Sequence, residues 1–235
     1  VTDADCTPAT DQWLRKMAER FSEKKQIVLG YGPYTKTKGF LNKVIRFDTT
    51  MIAVNYFSMA LNKIPYMGVG RNMAYTKEVF KSTNGFKSHY ALMSGDDDLF
   101  IQEAARKGNY TIQLDPDSFQ YSAAKEDWES FVLQMSRHYT KSPRYKVFKK
   151  VMLGIYPGSL ILMGISFVLL MLQSGWWIHA LIGFGFVTAI KWWLLGVCFK
   201  RLKSPGLPPR PGFPERRIAS AADHPGCRAA CRCRD

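Results

Sequence analysis

Three short clusters carry side chains whose types and spacing could do chemistry. Asp3-Ala4-Asp5 places two carboxylates two residues apart, where a strand leaves into a loop. Both can reach one hard cation, and oxygen ligands suit Mg2+ or Mn2+, ions that bridge to phosphate oxygens. An ordinary strand-end turn would use the same tripeptide. Ser94-Gly95-Asp96-Asp97-Asp98-Leu99-Phe100-Ile101 sets three acids at the start of an apolar helix. Asp96 can cap that helix and its neighbours favour the dipole, but a helix start explains one or two acids better than three. Crowding of like charges favours a proton on one of the three, the property a general base needs. In Gln134-Met135-Ser136-Arg137-His138, Gln134 and Arg137 stand three residues apart and share a helix face. Arg137 can hold a diphosphate with paired N–H donors; a solvated arginine on a surface helix is the plainer alternative.

These clusters need a scaffold, and the pattern supplies an α/β one. Thr7-Pro8 reads as a helix start, with Thr7 as N-cap and Pro8 at the first helical position; Trp13, Leu14, Met17 and Phe21 would share a face behind it. Gln26–Gly30 reads as a short apolar strand and Phe40–Lys63 as a long helix. Tyr66–Val69 and Met73–Thr76 read as strands around Gly70-Arg71-Asn72. Asp97–Lys107 reads as a helix burying Leu99, Ile101 and Ala105; Tyr110–Leu114 and Ser118–Tyr121 read as strands. Trp128–His138 reads as an amphipathic helix with Trp128, Phe131, Val132 and Met135 inward. Strands interleaved with helices specify an α/β domain. Val1-Thr2-Asp3 reads as the end of a strand, so the expectation is a chain whose domain begins upstream. Cys6 is the only cysteine in residues 1–150, which suits a reducing compartment.

Composition sharpens the setting. The 235 residues are 46% hydrophobic and 22% charged, with a formal net charge of +14, and the pI is about 9.6. The charge is unevenly placed. Residues 1–140 carry 18 basic and 16 acidic side chains, whereas residues 141–203 carry 9 basic and none acidic. A nearly neutral body argues against a nucleic-acid binder. The basic excess surrounds the most apolar stretch of the chain. Residues 151–174 hold no charged residue, and about 22 residues at about 1.5 Å each span a bilayer core. Residues 176–199 form a second apolar segment that includes His179 and Lys191. Lys141, Arg144, Lys146, Lys149 and Lys150 precede the first segment, Lys200, Arg201 and Lys203 follow the second, and the turn between them has none. The positive-inside rule gives a hairpin with both ends cytoplasmic, and the basic run at 141–150 should meet anionic lipid rather than nucleic acid.

With the three clusters in this order ahead of a membrane hairpin, residues 1–200 resemble the family-2 glycosyltransferases of GT-A type, which include cellulose, chitin and hyaluronan synthases. That family has a D-x-D motif after a central strand, an E-D or D-D motif at a helix start, and Q-x-x-R-W near the membrane. The stretch Gly68-Val69-Gly70-Arg71-Asn72-Met73-Ala74-Tyr75 is similar to its G-x-N-x-A segment, which lines the donor sugar and acceptor and brings in Gly70 and Asn72. The resemblance implies the C-terminal part of a Rossmann-like nucleotide-diphospho-sugar transferase domain over 1–140. A basic juxtamembrane segment at 141–150, transmembrane helices at 151–174 and 176–199, and a tail at 200–235 complete the organisation. It implies an inverting hexosyltransferase of polysaccharide biosynthesis, in a multi-pass protein of a bacterial-type inner or plasma membrane with its catalytic domain cytoplasmic. Asp3 and Asp5 would hold Mg2+ or Mn2+ on a nucleotide-sugar donor. The cation and Arg137 would stabilise the departing nucleoside diphosphate, and Gln134 would be a further substrate-binding residue. Asp96, or Asp97 if the register slips by one, would deprotonate a glycan or lipid-linked acceptor, and Asp98 is the later acid of that motif. His138 stands where the synthases have Trp and can stack on or hydrogen-bond an acceptor sugar over less surface than an indole. The half that would bind base and ribose lies outside the chain, so these 235 residues alone are expected to be inactive.

Two other functions use the same residues. A metal-dependent phosphohydrolase would activate water in place of a sugar hydroxyl, and a non-catalytic membrane assembly subunit would bind no nucleotide. The tail is rich in Pro and Gly from Ser204 to Pro214 and carries Cys227, Cys231, Cys233 and His224. Its cysteine spacing is not a usual zinc framework, and it reads as disordered.

Overall fold

The computed structural model describes residues 1–89, 95–139, 142–173 and 175–202. The expected tail falls almost wholly outside them, as does Ser94. The core sheet has three strands. β2 (Ile27–Leu29) lies in the centre, antiparallel to β3 (Met73–Tyr75) and parallel to β4 (Tyr110–Ile112). Ile27, Val28 and Leu29 are buried on both faces, as a continuous apolar run in a central strand requires. On the far edge of β3, Val1 and Met73 exchange backbone hydrogen bonds. The first residue therefore extends the sheet, and the chain leaves it toward Asp3 and Asp5.

A second pairing overturns an expected helix start. Thr7–Pro8 forms a strand, β1, antiparallel to β5 (Gln120–Tyr121). Ala9 N–H continues the pairing to Phe119 O at 2.9 Å, and the Thr10 hydroxyl donates to Asp117 O at 3.0 Å. Helix α1 begins only at Trp13 and ends at Ala18, with Gln12 at its N-cap. A Thr-Pro pair suits a helix start and an edge strand equally; the tertiary partner decides. Of the four residues expected on the helix's inner face, Met17 is buried and Leu14 is exposed.

Helix α2 (Phe40–Leu61) covers the sheet with Ala53, Tyr56, Phe57 and Ala60. Its Tyr56 hydroxyl donates to Gly30 O at 2.7 Å. Residues 66–69 join no sheet, contrary to expectation, and lead into a short 3-10 turn at Gly70–Asn72. Helix α3 (Lys77–Ser82) follows β3 with Thr76 as its N-cap, accepting from Val79 N–H. Helix α4 (Asp96–Ala104) has Gly95 as N-cap in the left-handed region at φ 105°, so the cap is a glycine rather than Asp96. Leu99, Phe100, Ile101 and Ala104 enter the core, while Ala105 is half-buried. Helix α5 (Trp128–Tyr139) turns Phe131 and Met135 toward the domain. Trp128 and Val132, expected inward, are 51% and 60% exposed.

Two 25-residue helices close the described chain, α6 (Val147–Met171) and α7 (Trp177–Arg201). Both are long and apolar enough to cross a membrane, and neither buries its apolar window within the protein. They join the domain at their polar ends. Phe47 of α2 packs against Trp192 and Phe199 of α7, with ring centroids 6.5 and 5.4 Å apart. Lys149 of α6 donates to Pro65 O at 2.5 Å.

Candidate active site

Six of the ten candidate residues, spread from one end of the domain to the other, line a single cleft of about 350 Å3: Asp3, Asp5, Gly70, Gln134, Arg137 and His138. Asp3 and Asp5 come off the sheet edge that Val1 extends. The Asp3 carbonyl closes a turn by accepting Cys6 N–H at 3.2 Å, which keeps both aspartates at the surface. One wall of the cleft is a face of α2 formed by Ile45, Asp48, Thr49, Ile52, Ala53 and Tyr56, the spacing of a single helical stripe. The other wall is α5, which contributes Phe131, Gln134, Met135, Arg137 and His138.

Tyr34 ties these parts together. Gln134 Nε2 donates to Tyr34 Oη at 2.7 Å. The Arg71 guanidinium lies 4.2 Å from the centroid of the same ring, a cation–π contact. Ser122 forms a backbone bridge with Tyr34 and accepts from Arg71 Nη1 at 3.4 Å. Thus the first residue of the Gln134–His138 cluster, the turn after residue 69 and the loop after β5 share one aromatic support. Lys125 adds a further cation to the lining. Tyr34, Arg71, Lys125 and Asp48 all escaped the sequence reading, although Arg71 lies inside the Gly68–Tyr75 stretch and Asp48 is a carboxylate on the otherwise mostly apolar stripe of α2. Burial raises the Asp48 carboxyl above its ordinary value.

Asp97 and Asp98 of α4 are not among the residues that line the cleft. Asp97 Oδ2 accepts Gly70 N–H at 3.0 Å, and Asp97 Oδ1 accepts Asp98 N–H at 2.8 Å. Asp97 therefore pins the turn that carries Gly70 and Arg71. Asp98 is 3% exposed and accepts from the Tyr145 hydroxyl at 3.0 Å. Burial, and then the Asp98 charge, push the Tyr145 phenol well above its usual value. The Asp96 side chain lies outside the described residues. Asn72 is fully buried behind the turn. Its Nδ2 donates to Tyr31 O and Ser118 O, each at 2.8 Å, and its Oδ1 accepts from Trp13 Nε1 at 3.0 Å. The backbone of Gly30 passes so close that a Cβ there would sit 2.6 Å from Asn72 Nδ2.

For a divalent ion the donor set is informative. Ligand atoms of Asp3, Asp5 and Cys6 lie within 4.8 Å of one another. Two exposed carboxylates fit a hard cation that keeps several waters. The Cys6 sulfur is a softer donor and sits 3.2 Å from Ser122 Oγ.

A sequence model of glycosyl transferase family group 2 matches residues 1–199. The chain belongs to that family. No curated protein matches it. The match spans the sheet, the cleft and nearly all of both apolar helices, so this family-2 glycosyltransferase carries its described cleft and its two long helices as one family unit. Membership makes it a transferase acting on a sugar donor and an acceptor, in a family whose members commonly use divalent metals.

Proposed function

We propose that the cleft transfers a hexose, with inversion, from a nucleotide-diphosphate sugar to a membrane-associated glycan or lipid-linked acceptor. The carrying observation is that Asp3 and Asp5 line the same cleft as Arg137, although more than a hundred residues separate them. Carboxylates for a cation and a guanidinium for phosphate oxygens are the two groups a departing diphosphate needs. Asp3 and Asp5 would hold Mg2+ or Mn2+, which supplies charge neutralisation on the diphosphate when bound.

The chain's own groups do the rest. Arg137, held on α5 beside the Tyr34–Gln134 hydrogen bond, donates to diphosphate oxygens as negative charge grows on them. The acceptor hydroxyl gives its proton to a carboxylate at the start of α4. Its oxygen forms a bond to the anomeric carbon from the face opposite the phosphate, the bond from that carbon to the phosphate oxygen breaks, and the nucleoside diphosphate leaves with the electron pair. Asp97 spends both oxygens on backbone N–H groups, which favours Asp96 as the base and Asp97 as the residue that positions the Gly70 turn. His138 offers an imidazole to the acceptor.

The two apolar helices support a membrane setting. Apolar surface of this extent left uncovered by protein is stable only against another apolar phase. The basic flanks support a cleft on the cytoplasmic side, against anionic lipid rather than nucleic acid. The test is Arg137→Ala in the full-length protein, measured by calorimetric titration with nucleoside diphosphate and Mg2+. Binding should weaken by about ten- to a hundredfold, and unchanged binding would remove Arg137 from the site.

A further inference from the structure

Asp48 is the one carboxylate on the α2 wall of the cleft, and nothing in the catalytic scheme uses it. It stands on the stripe formed by Ile45, Ile52, Ala53 and Tyr56, three of which are fully buried. Among the described residues it has no hydrogen-bond or ion-pair partner, and burial is the sole influence on its carboxyl. A carboxylate half-withdrawn from water with nothing to compensate it is costly. Such a group facing a cleft is matched by a ligand. The surroundings say which kind. Tyr31, Tyr34, Tyr56 and Phe131 line the same space, and mostly apolar walls with a few placed polar groups are the make-up of a small-molecule site. Rings against C–H faces and one acceptor-only carboxylate against O–H donors together describe a sugar. The cation-binding pair Asp3 and Asp5 comes from a different part of the chain.

We propose that Asp48 is a sugar-reading residue, its carboxylate accepting hydrogen bonds from sugar hydroxyls held against the α2 wall. This rests on the sugar-transfer reading above and adds a residue and a subsite to it. The hydroxyls can belong to the donor hexose or to the acceptor, and the two sources separate experimentally. Phe47, the preceding residue, packs on α7, so the wall stands at the foot of the apolar helices, where a membrane-borne acceptor would arrive.

The experiment uses full-length protein in detergent, unchanged and with Asp48→Asn or Asp48→Ala. UDP-glucose, UDP-N-acetylglucosamine and GDP-mannose are the donor probes, and UDP and GDP are the sugar-free controls. A lost charged hydrogen bond is worth about ten- to a hundredfold in affinity. If the hydroxyls belong to the donor, Asp48→Ala weakens nucleotide-sugar binding by about that factor while nucleoside-diphosphate binding stays unchanged. If they belong to the acceptor, both binding constants stay unchanged and the KM for endogenous membrane acceptor rises by about that factor with kcat preserved. In either case Asp48→Asn, which keeps the shape and one acceptor oxygen, falls between. General damage to the cleft would weaken nucleoside-diphosphate binding as well, and that pattern overturns the proposal. So does a variant equal to the unchanged protein in every binding constant and KM, which leaves the transfer reading standing. An unchanged protein that binds none of the nucleotide-sugars overturns the transfer reading and this proposal with it.

Discussion

Asn72→Ala should unfold the cleft from behind. The side chain makes three hydrogen bonds inside the domain: to Tyr31 O and Ser118 O, each at 2.8 Å, and from Trp13 Nε1 at 3.0 Å. Truncation leaves all three partners in place and removes what satisfies them. A buried polar group stranded in this way costs about 1–3 kcal/mol. The three do not weigh equally. Tyr31 O keeps the Gln120 N–H at 3.3 Å, and Trp13 is only half-buried, so water can serve its indole. Discounting both, the loss is about 3–5 kcal/mol, which for a domain of this size lowers Tm by roughly 10 °C. Asn72→Asp should be no better, because it turns two donors into an oxygen facing two carbonyls. Gly30→Ala attacks the same contact from the other side, since its Cβ would meet Asn72 Nδ2 at 2.6 Å and Asn72 O at 2.8 Å. Combined with Asn72→Ala it should cost less than the sum of the two, because the first clash disappears and the second remains. Thermal unfolding followed by tryptophan fluorescence reads all four variants. An Asn72→Ala protein with unchanged Tm and a raised KM for donor or acceptor would refute the reasoning, and would put this side chain on substrate.

Three other outcomes follow from single side chains. Tyr34→Phe removes the Gln134 hydrogen bond and keeps the ring under Arg71, so sugar transfer should fall by up to about tenfold, whereas Tyr34→Ala loses both supports and should fall further. Tyr145→Phe takes one donor from the buried Asp98 carboxylate and should cost about 1.5–3 kcal/mol in thermal or denaturant unfolding. The Asp48 carboxyl is raised by burial, so the folded chain keeps a proton that the unfolded chain releases as pH rises past the usual carboxylate value of about 4. Stability should therefore fall with rising pH through that window and level off above the raised value. Asp48→Asn should flatten this part of the profile and raise Tm at neutral pH.

Much of the candidate site was legible because its chemistry lies in local patterns. Asp3-Ala4-Asp5, Asp96–Asp98 and Gln134–His138 each announce themselves over a few residues, and α2, α5 and the apolar helices follow from periodicity. What stayed hidden depends on contacts between distant segments. Thr7-Pro8 became a strand because residues 119–121 offer it a partner. Asn72 reads as a substrate ligand from its motif, yet its amide is spent on Tyr31, Ser118 and Trp13, none of which is near it in sequence. Trp128 and Val132 fall on the apolar stripe of α5 by spacing and still face outward, beside Phe40, whose ring lies 6.4 Å from that of Trp128. Asp48 carries no motif; only the cleft opposite α2 makes a lone carboxylate there informative. The register of the general base rests on whether Asp97 is engaged elsewhere, and that depends on Gly70, 27 residues away.

Product formation from a labelled nucleotide-sugar tests the central claim most directly. Membranes containing the full-length protein, unchanged or as Asp5→Ala or Asp96→Asn, are incubated with labelled donor and Mg2+ or Mn2+, and the label is followed into glycoside, free sugar and nucleotide. The expected result is a labelled glycan or glycolipid made by the unchanged protein, lost with chelator and with Asp5→Ala, and reduced by a hundredfold or more with Asp96→Asn. Free sugar or nucleotide released without any glycoside, or glycoside formed equally well by the Asp5→Ala protein, would contradict it.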